Sequence, residues 1–256
     1  MRWATLIANR NPARGIEYYL QPVRDLRRWI GIPTDVYVDL SDAANVSSDL
    51  KCRQISVESI FRLFFHGDVV EHEYDSLVIG PLRRMGRTWP ILACWLAKYW
   101  IVRDVAAYTN DDLVCWLDAG HAVTYYADGM YDRYRDVIRG QLYGGDGKEN
   151  LRRLEDFVRE NTSPVLVIGS PDVDCGLDHV EAWSRMAIYG CFFAVRRDYV
   201  ETMFDIVVRE WARIVSSCRI ATDESLLYLG VKRHSWKLKD WRDFFRRLYG
   251  WTKGVD

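Results

Sequence analysis

The sequence predicts an α/β fold built on a single Rossmann-type mixed sheet flanked by helices. Three observations predict it. The chain opens strand, helix, strand; later apolar runs of strand length end in Asp or Gly; and longer segments between them carry apolar residues at helical spacing. The length of 256 residues suits one α/β domain across positions 1–256. A chain of this size buries roughly three quarters of its unfolded surface, so its core needs no disulfides. Hydrophobic residues at 49% beside charged residues at 28% exclude a disordered chain.

Residues 3–8 read as a short buried strand that stops at Asn9-Arg10-Asn11-Pro12. From 15 to 30, Ile16, Tyr19, Leu20, Val23, Leu26 and Ile30 recur at helical spacing, with Pro22 as a kink. The helix ends at Gly31-Ile32-Pro33. Thr34 to Leu40 alternates Val36, Val38 and Leu40 inward and reads as a strand, parallel to the first through a crossover. Residues 52–57 read as a further short strand and 58–65 as a helix. Gly80-Pro81 to Gly86 is a basic turn, after which Pro90 opens a long helix to Tyr108. Asp112 to Leu117 is a buried strand running into Asp118-Ala119-Gly120-His121. Residues 127–150 form a long polar, aromatic and Gly-rich loop. Residues 149–160 are helical, Pro164 to Ile168 and Ala187 to Val195 are strands, and Asp198 caps a helix that reaches Ser216. Thr222 is the expected N-cap of a helix opening Asp223-Glu224-Ser225.

Composition narrows the function. A net charge of −1 argues against general nucleic-acid affinity, which rests on many unpaired cations. Eleven Trp and fifteen Tyr suit either a Trp-rich core or a site that stacks sugar or base faces. The six Cys have no CxxC spacing and sit in apolar runs, as buried reduced thiols do. The N-terminal residues lack the apolar length of a signal peptide, and no run is long enough to span a membrane. A soluble, cytoplasmic protein is the expectation. The last segment, from Lys232, interleaves Lys and Arg with Trp236, Trp241, Phe244, Phe245, Tyr249 and Trp251. It reads as a solvated amphipathic terminal helix, or as a basic aromatic surface for phosphates or peripheral membrane contact.

Two groups of residues carry chemistry. Ligands of open α/β sheets bind beyond the carboxyl ends of strands, which is where Asp118 stands. A carboxylate there, followed by small residues, can approach a bound diphosphate through Mn²⁺ or Mg²⁺, and His121 is a candidate either to bind the metal or to donate to a phosphate. His234 is a candidate to close that shell. Asp172-Val173-Asp174 is an alternative metal site or simply a polar turn. Asp223 and Glu224, at a helix start, are candidates for a general base or for ordinary helix capping. Arg83, Arg84 and Arg87 in the basic turn are candidates to grip phosphates. Walker-type, Gly-x-Gly-x-x-Gly, Gly-x-Ser-x-Gly and His-Glu-x-x-His motifs are absent.

The order of the segments adds to this. Val114-Cys115-Trp116-Leu117-Asp118-Ala119-Gly120 is followed by Ile188-Tyr189-Gly190-Cys191-Phe192-Phe193-Ala194 and then by Thr222-Asp223-Glu224-Ser225-Leu226-Leu227. The series resembles the GT-A-type glycosyltransferases, and within them the HtrL/YibB-like (WlaTC-type) family, over residues 3 to 235. The resemblance implies a GT-A-like sheet, a nucleotide-diphosphate-sugar donor, Mn²⁺ or Mg²⁺, and a glycan or other hydroxyl acceptor. It implies that Asp118 contacts the metal, that Gly190 and Cys191 line the sugar pocket, and that Asp223 or Glu224 faces the acceptor. The expected donor-binding set is Asn9, Arg10, Arg84, Asp118, Gly120, Gly190 and Cys191. The expected metal ligands are Asp118, His121 and His234. One departure stands out: Gly120 occupies the place of the family's second Asp, so the cation is held either by Asp118 with the two histidines or mainly by the diphosphate. Inversion is the favoured outcome, with Asp223 slightly preferred as base. A metal-dependent nucleotidyltransferase or phosphohydrolase, and a non-catalytic carbohydrate-binding module, are the competing readings.

Overall fold

A computed structural model describes residues 1–9, 34–46, 48–64, 89–119, 147–185, 187–217 and 222–249, with positions 16, 17, 19, 20, 23, 24 and 27 between the first two strands. Among these residues seven strands form one sheet: β1 Arg2–Ile7, β2 Thr34–Asp39, β3 Cys52–Ile55, β4 Leu113–Leu117, β5 Val165–Gly169, β6 Ile188–Arg196 and β7 Lys237–Asp240. Their order across the sheet is β3-β2-β1-β4-β6-β5-β7. The first four are mutually parallel, β6 runs antiparallel to both its neighbours, and β7 is parallel to β5. The α/β class and the single mixed sheet flanked by helices are therefore as the sequence predicts.

Alternation along the strands divides the core in two. Ala4, Leu6, Tyr37, Val114, Trp116, Val165 and Val167 face one side, where they meet α1 (Val57–Leu63), α2 (Trp89–Tyr108), α4 (His179–Ser184), α5 (Val200–Ser216) and α6 (Asp223–His234). Trp3, Cys115, Leu117, Leu166 and Ile168 face the other, against α3 (Gly147–Arg159) and α7 (Trp241–Tyr249). Ile7, Val36 and Val38 pack there on Leu20 and Val23. Helix α2 is apolar nearly all round, because it lies between the sheet and the helices α1 and α5.

Three local expectations are corrected. Asp198 does not cap α5: residues Arg197–Tyr199 form a 3₁₀ turn, α5 starts at Val200, and the Asp198 carboxylate pairs with Arg196, Nε to Oδ1 3.0 Å. Thr222 holds the N-cap position of α6, yet its hydroxyl makes no capping bond and is buried without a partner. The described part of the C-terminal segment is not a solvated helix. Its first residues add β7 to the sheet, and α7 then packs on α3, with Phe244 fully buried and stacked on Phe192 at 4.2 Å. The basic turn before α2 and most of the expected loop at 127–150 lie outside the described residues. Among the described residues no helix is long and apolar enough to cross a membrane.

Helix α6 meets the turn that follows it at Gly230. A Cβ there would fall 2.0 Å from the Trp236 ring, and the Trp236 amide donates to the Gly230 carbonyl at 3.3 Å. Gly230→Ala forces the buried indole to move and is expected to cost about 1–3 kcal/mol, as overpacked cores do. A denaturant melt indistinguishable from wild type contradicts this packing.

Candidate functional site

Strands β2 and β1 lie on one side of the β1–β4 boundary in chain order, and the chain then crosses to β4 on the other side. Such a switch point opens a crevice at the carboxyl ends of the two strands. Asp118 stands there, one residue past β4, with a third of its side chain exposed. Its backbone amide donates to the Cys191 carbonyl at 2.9 Å, and its Oδ1 accepts from the Trp116 indole at 2.6 Å. A small cavity beside it is lined by Trp3, Thr5, Val23, Leu117 and Ala119. Asn9, past the end of β1, is tied down by its amide, which donates to Asp42 at 2.8 Å.

Strand β6 is irregular at the same level. Val167 pairs with Phe193 and Ile168 with Tyr189, so Gly190, Cys191 and Phe192 have no partner on β5. Bulges of this kind re-aim a strand next to sites. Gly190 uses the irregularity: a Cβ would lie 2.6 Å from Asp223 Oδ2 and 3.1 Å from Glu224 Oε1. The acidic start of α6 is thus seated directly on the β6 backbone.

One side chain that the sequence reading did not single out joins these parts. Lys98, in the middle of α2, is 2% exposed. Its Nζ donates to the Gly190 carbonyl at 2.8 Å and to Asp223 Oδ2, and lies 3.7 Å from Asp118 Oδ1. The next residue, Tyr99, donates its hydroxyl to the Asp223 carbonyl at 3.1 Å. The available signal was a lone lysine within Leu96-Ala97-Lys98-Tyr99-Trp100-Ile101, since a cation on an apolar helix requires a buried counter-charge.

The cluster is short of positive charge. Burial alone would lower the Lys98 ammonium, but the carboxylates of Asp118, Asp223 and Glu224 outweigh it and hold the group charged. Burial raises the Asp118 carboxyl above its ordinary range against the pull of Lys98 and Trp116. Burial, and then repulsion from Glu224, raises Asp223 well above it. Asp118 and Asp223 therefore take up protons more readily than isolated carboxylates do. Asp223 is fully enclosed, whereas Glu224 is half-buried as a residue, with its Oε2 buried and without a hydrogen-bond partner among the described residues. Burial, followed by the Asp118 charge, keeps the Cys191 thiol protonated, and the side chain packs in the core as an apolar group.

The structure therefore brings Asp118, Gly190, Cys191, Asp223 and Glu224 together, with Asn9 at the end of the adjoining strand. His234 is not among them. It sits at the far end of α6, about 16 Å along the helix axis from Asp223. There its Nε2 is 3.0 Å from Glu210, a carboxylate 1% exposed that also pairs with Arg213 and Arg233 at 2.6 Å each. Asp172 and Asp174 lie in an exposed turn after β5, and Asp174 pairs with Lys232 at 2.6 Å. Arg10, Arg83, Arg84, Arg87, Gly120 and His121 lie outside the described residues. No family model matches the chain, and no curated protein matches it.

Gly190→Ala tests the seating of α6 on β6. The added methyl collides with both acidic side chains and is expected to cost about 1–3 kcal/mol in a thermal or denaturant melt. Wild-type stability in that variant is incompatible with the contact.

Proposed function

We propose that the protein is a glycosyltransferase that moves a sugar from a nucleotide-diphosphate-sugar donor to a hydroxyl acceptor. The observation that carries this reading is a strand-end carboxylate, Asp118, at the carboxyl end of β4, with a second carboxylate, Glu224, against Gly190 of the adjoining β6 and Lys98 between the two strands. The order β3-β2-β1-β4 is that of the first half of doubly wound folds followed by the strand across the switch point, which supports a nucleotide beyond β1 and β4. The resemblance to GT-A-type enzymes supports the same site, since the three segments that carry it converge here.

In this reading the donor lies across the ends of β1 and β4, beside Asn9 and Asp118. The sugar lies next to the β6 bulge, where Gly190 lets the acids of α6 reach the strand. Glu224 takes the proton of the acceptor hydroxyl as that oxygen bonds to the anomeric carbon. The bond from that carbon to the diphosphate breaks, the nucleoside diphosphate leaves with the electron pair, and the anomeric configuration inverts. Asp223 is the poorer base, because it is enclosed and held by Lys98.

Among the described residues no group of three metal-ligating side chains converges, and of the two expected ligands among them Asp118 is at the crevice and His234 is not. These residues fit a Mg²⁺ or Mn²⁺ that takes one protein carboxylate and draws its other oxygens from the donor diphosphate and water. Such a cation would supply neutralising charge for the departing diphosphate.

Calorimetry with UDP, GDP and CDP, with and without Mn²⁺, tests donor binding. A binding nucleotide is expected to stabilise the fold by about 2.7 kcal/mol at a hundredfold excess over its Kd. Absence of binding by all of them overturns the reading.

The base assignment is tested separately with the corresponding nucleotide sugars. Glu224→Gln is expected to lose turnover by ~10²-fold or more while still binding donor. Asp223→Asn, which breaks a buried ion pair, is expected to lose about 3–5 kcal/mol of stability. The reverse pattern moves the base to Asp223.

A further inference from the structure

Helix α6 begins in an unusual way. Its N-cap residue, Thr222, is buried and makes no capping bond, so the side chain that ordinarily fixes a first turn does not fix this one. Two adjacent carboxylates follow at once, and repulsion between them works against a fixed geometry. What holds the turn comes from another helix. The Lys98 ammonium reaches Asp223 and the Gly190 carbonyl, and Tyr99 reaches the Asp223 carbonyl.

We propose that Lys98 is a positioning residue: its ammonium, in place of an N-cap, pins the start of α6 to the β6 bulge and the end of β4, and so fixes where Glu224 sits beside Gly190. Three contacts support this. The bond to Asp223 fixes the side chain at the first position of α6. The bond to Gly190 fixes that position to the irregular stretch of β6, where the absent Cβ lets the acids approach. The 3.7 Å approach to Asp118 brings the crevice carboxylate into the same charge cluster. Both acids reach the same point over Gly190, so holding Asp223 on the lysine also fixes where Glu224 lies. The lysine touches neither donor nor acceptor in this arrangement and acts through the carboxylates. The inference rests on the glycosyl-transfer reading only for the chemistry given to Glu224; the placement of α6 stands apart from it.

The test pairs Lys98→Met with Asp223→Asn. Each alone leaves an uncompensated buried group and is expected to melt well below wild type. The double variant removes both charges and is expected to recover much of that loss. Amide hydrogen exchange then reads the position of α6. In the refolded double variant the amides of Ser225 to Leu227 are expected to exchange at least about tenfold faster than in wild type, while those in the middle of α5 keep their protection. Exchange within twofold of wild type at Ser225 to Leu227 overturns the proposal. A Lys98→Gln/Asp223→Asn pair, which retains a neutral hydrogen bond, replaces the first double variant if that one fails to fold.

Turnover of the nucleotide sugar used by wild type supplies the second readout. It is expected to fall at least about tenfold in the stable double variant. Loosened exchange with native turnover also overturns the positioning role. If wild type transfers no sugar at all, the proposed function fails, and hydrogen exchange alone still decides whether Lys98 places α6.

Discussion

Lys98 places a full positive charge inside a helix whose neighbouring positions are apolar and buried. Taking an ammonium out of water costs several kcal/mol even after relaxation, and only close negative groups offset it. That requirement constrains four elements at once. Helix α2 must face the irregular part of β6, α6 must bring its acidic end to the same point, and β4 must end beside them. The apolar faces of the sheet define two halves of a core. The buried cation determines how the elements meet at the crevice, where apolar packing alone is indifferent to the exact placement of carboxylates.

Helix α6 carries opposite charge logic at its two ends. Asp223 and Glu224 stand in the first turn and Lys232, Arg233 and His234 in the last, as the helix dipole favours. Each end is also claimed by a buried group of opposite sign on another helix, Lys98 on α2 and Glu210 on α5. For Glu210, burial works against ionisation, but the bond from His234 and the charges of Arg233 and Arg213 hold its carboxyl below the ordinary range. The helix is therefore anchored by charge at both ends and by Leu226, Leu227 and Leu229 between them.

Much of this was legible in the sequence, for physical reasons that can be named. Strands β1, β4 and β5 are covered on both faces, so they read as continuous apolar runs. Asp118 was legible because a strand end in an open sheet is a recurrent place for ligands. Lys98 was not, because its partner Asp223 is 125 positions away and nothing local announces the pairing. His234 offered the right chemistry for a metal, but Glu210 competes for it from α5. Asp198 had the right type for a cap, yet Arg196 two residues earlier is the closer partner. The segment Lys237-Leu238-Lys239-Asp240 has almost no strand character of its own, and it becomes β7 only by pairing with β5.

That last strand has a consequence for behaviour at high concentration. Without β7, the outer strand of the sheet would be β5, five residues that are all buried: Val165, Leu166, Val167, Ile168 and Gly169. An uncovered apolar strand of that kind is a template for pairing with other chains. β7 replaces it with a border of four residues, two of them lysines, and Lys239 is itself held by the Phe157 carbonyl at 2.6 Å. The opposite border, β3, is equally short and carries Arg53. Both margins of the sheet thus end in brief cationic strands, a construction that discourages self-association through the backbone while leaving the carboxyl-end crevice untouched.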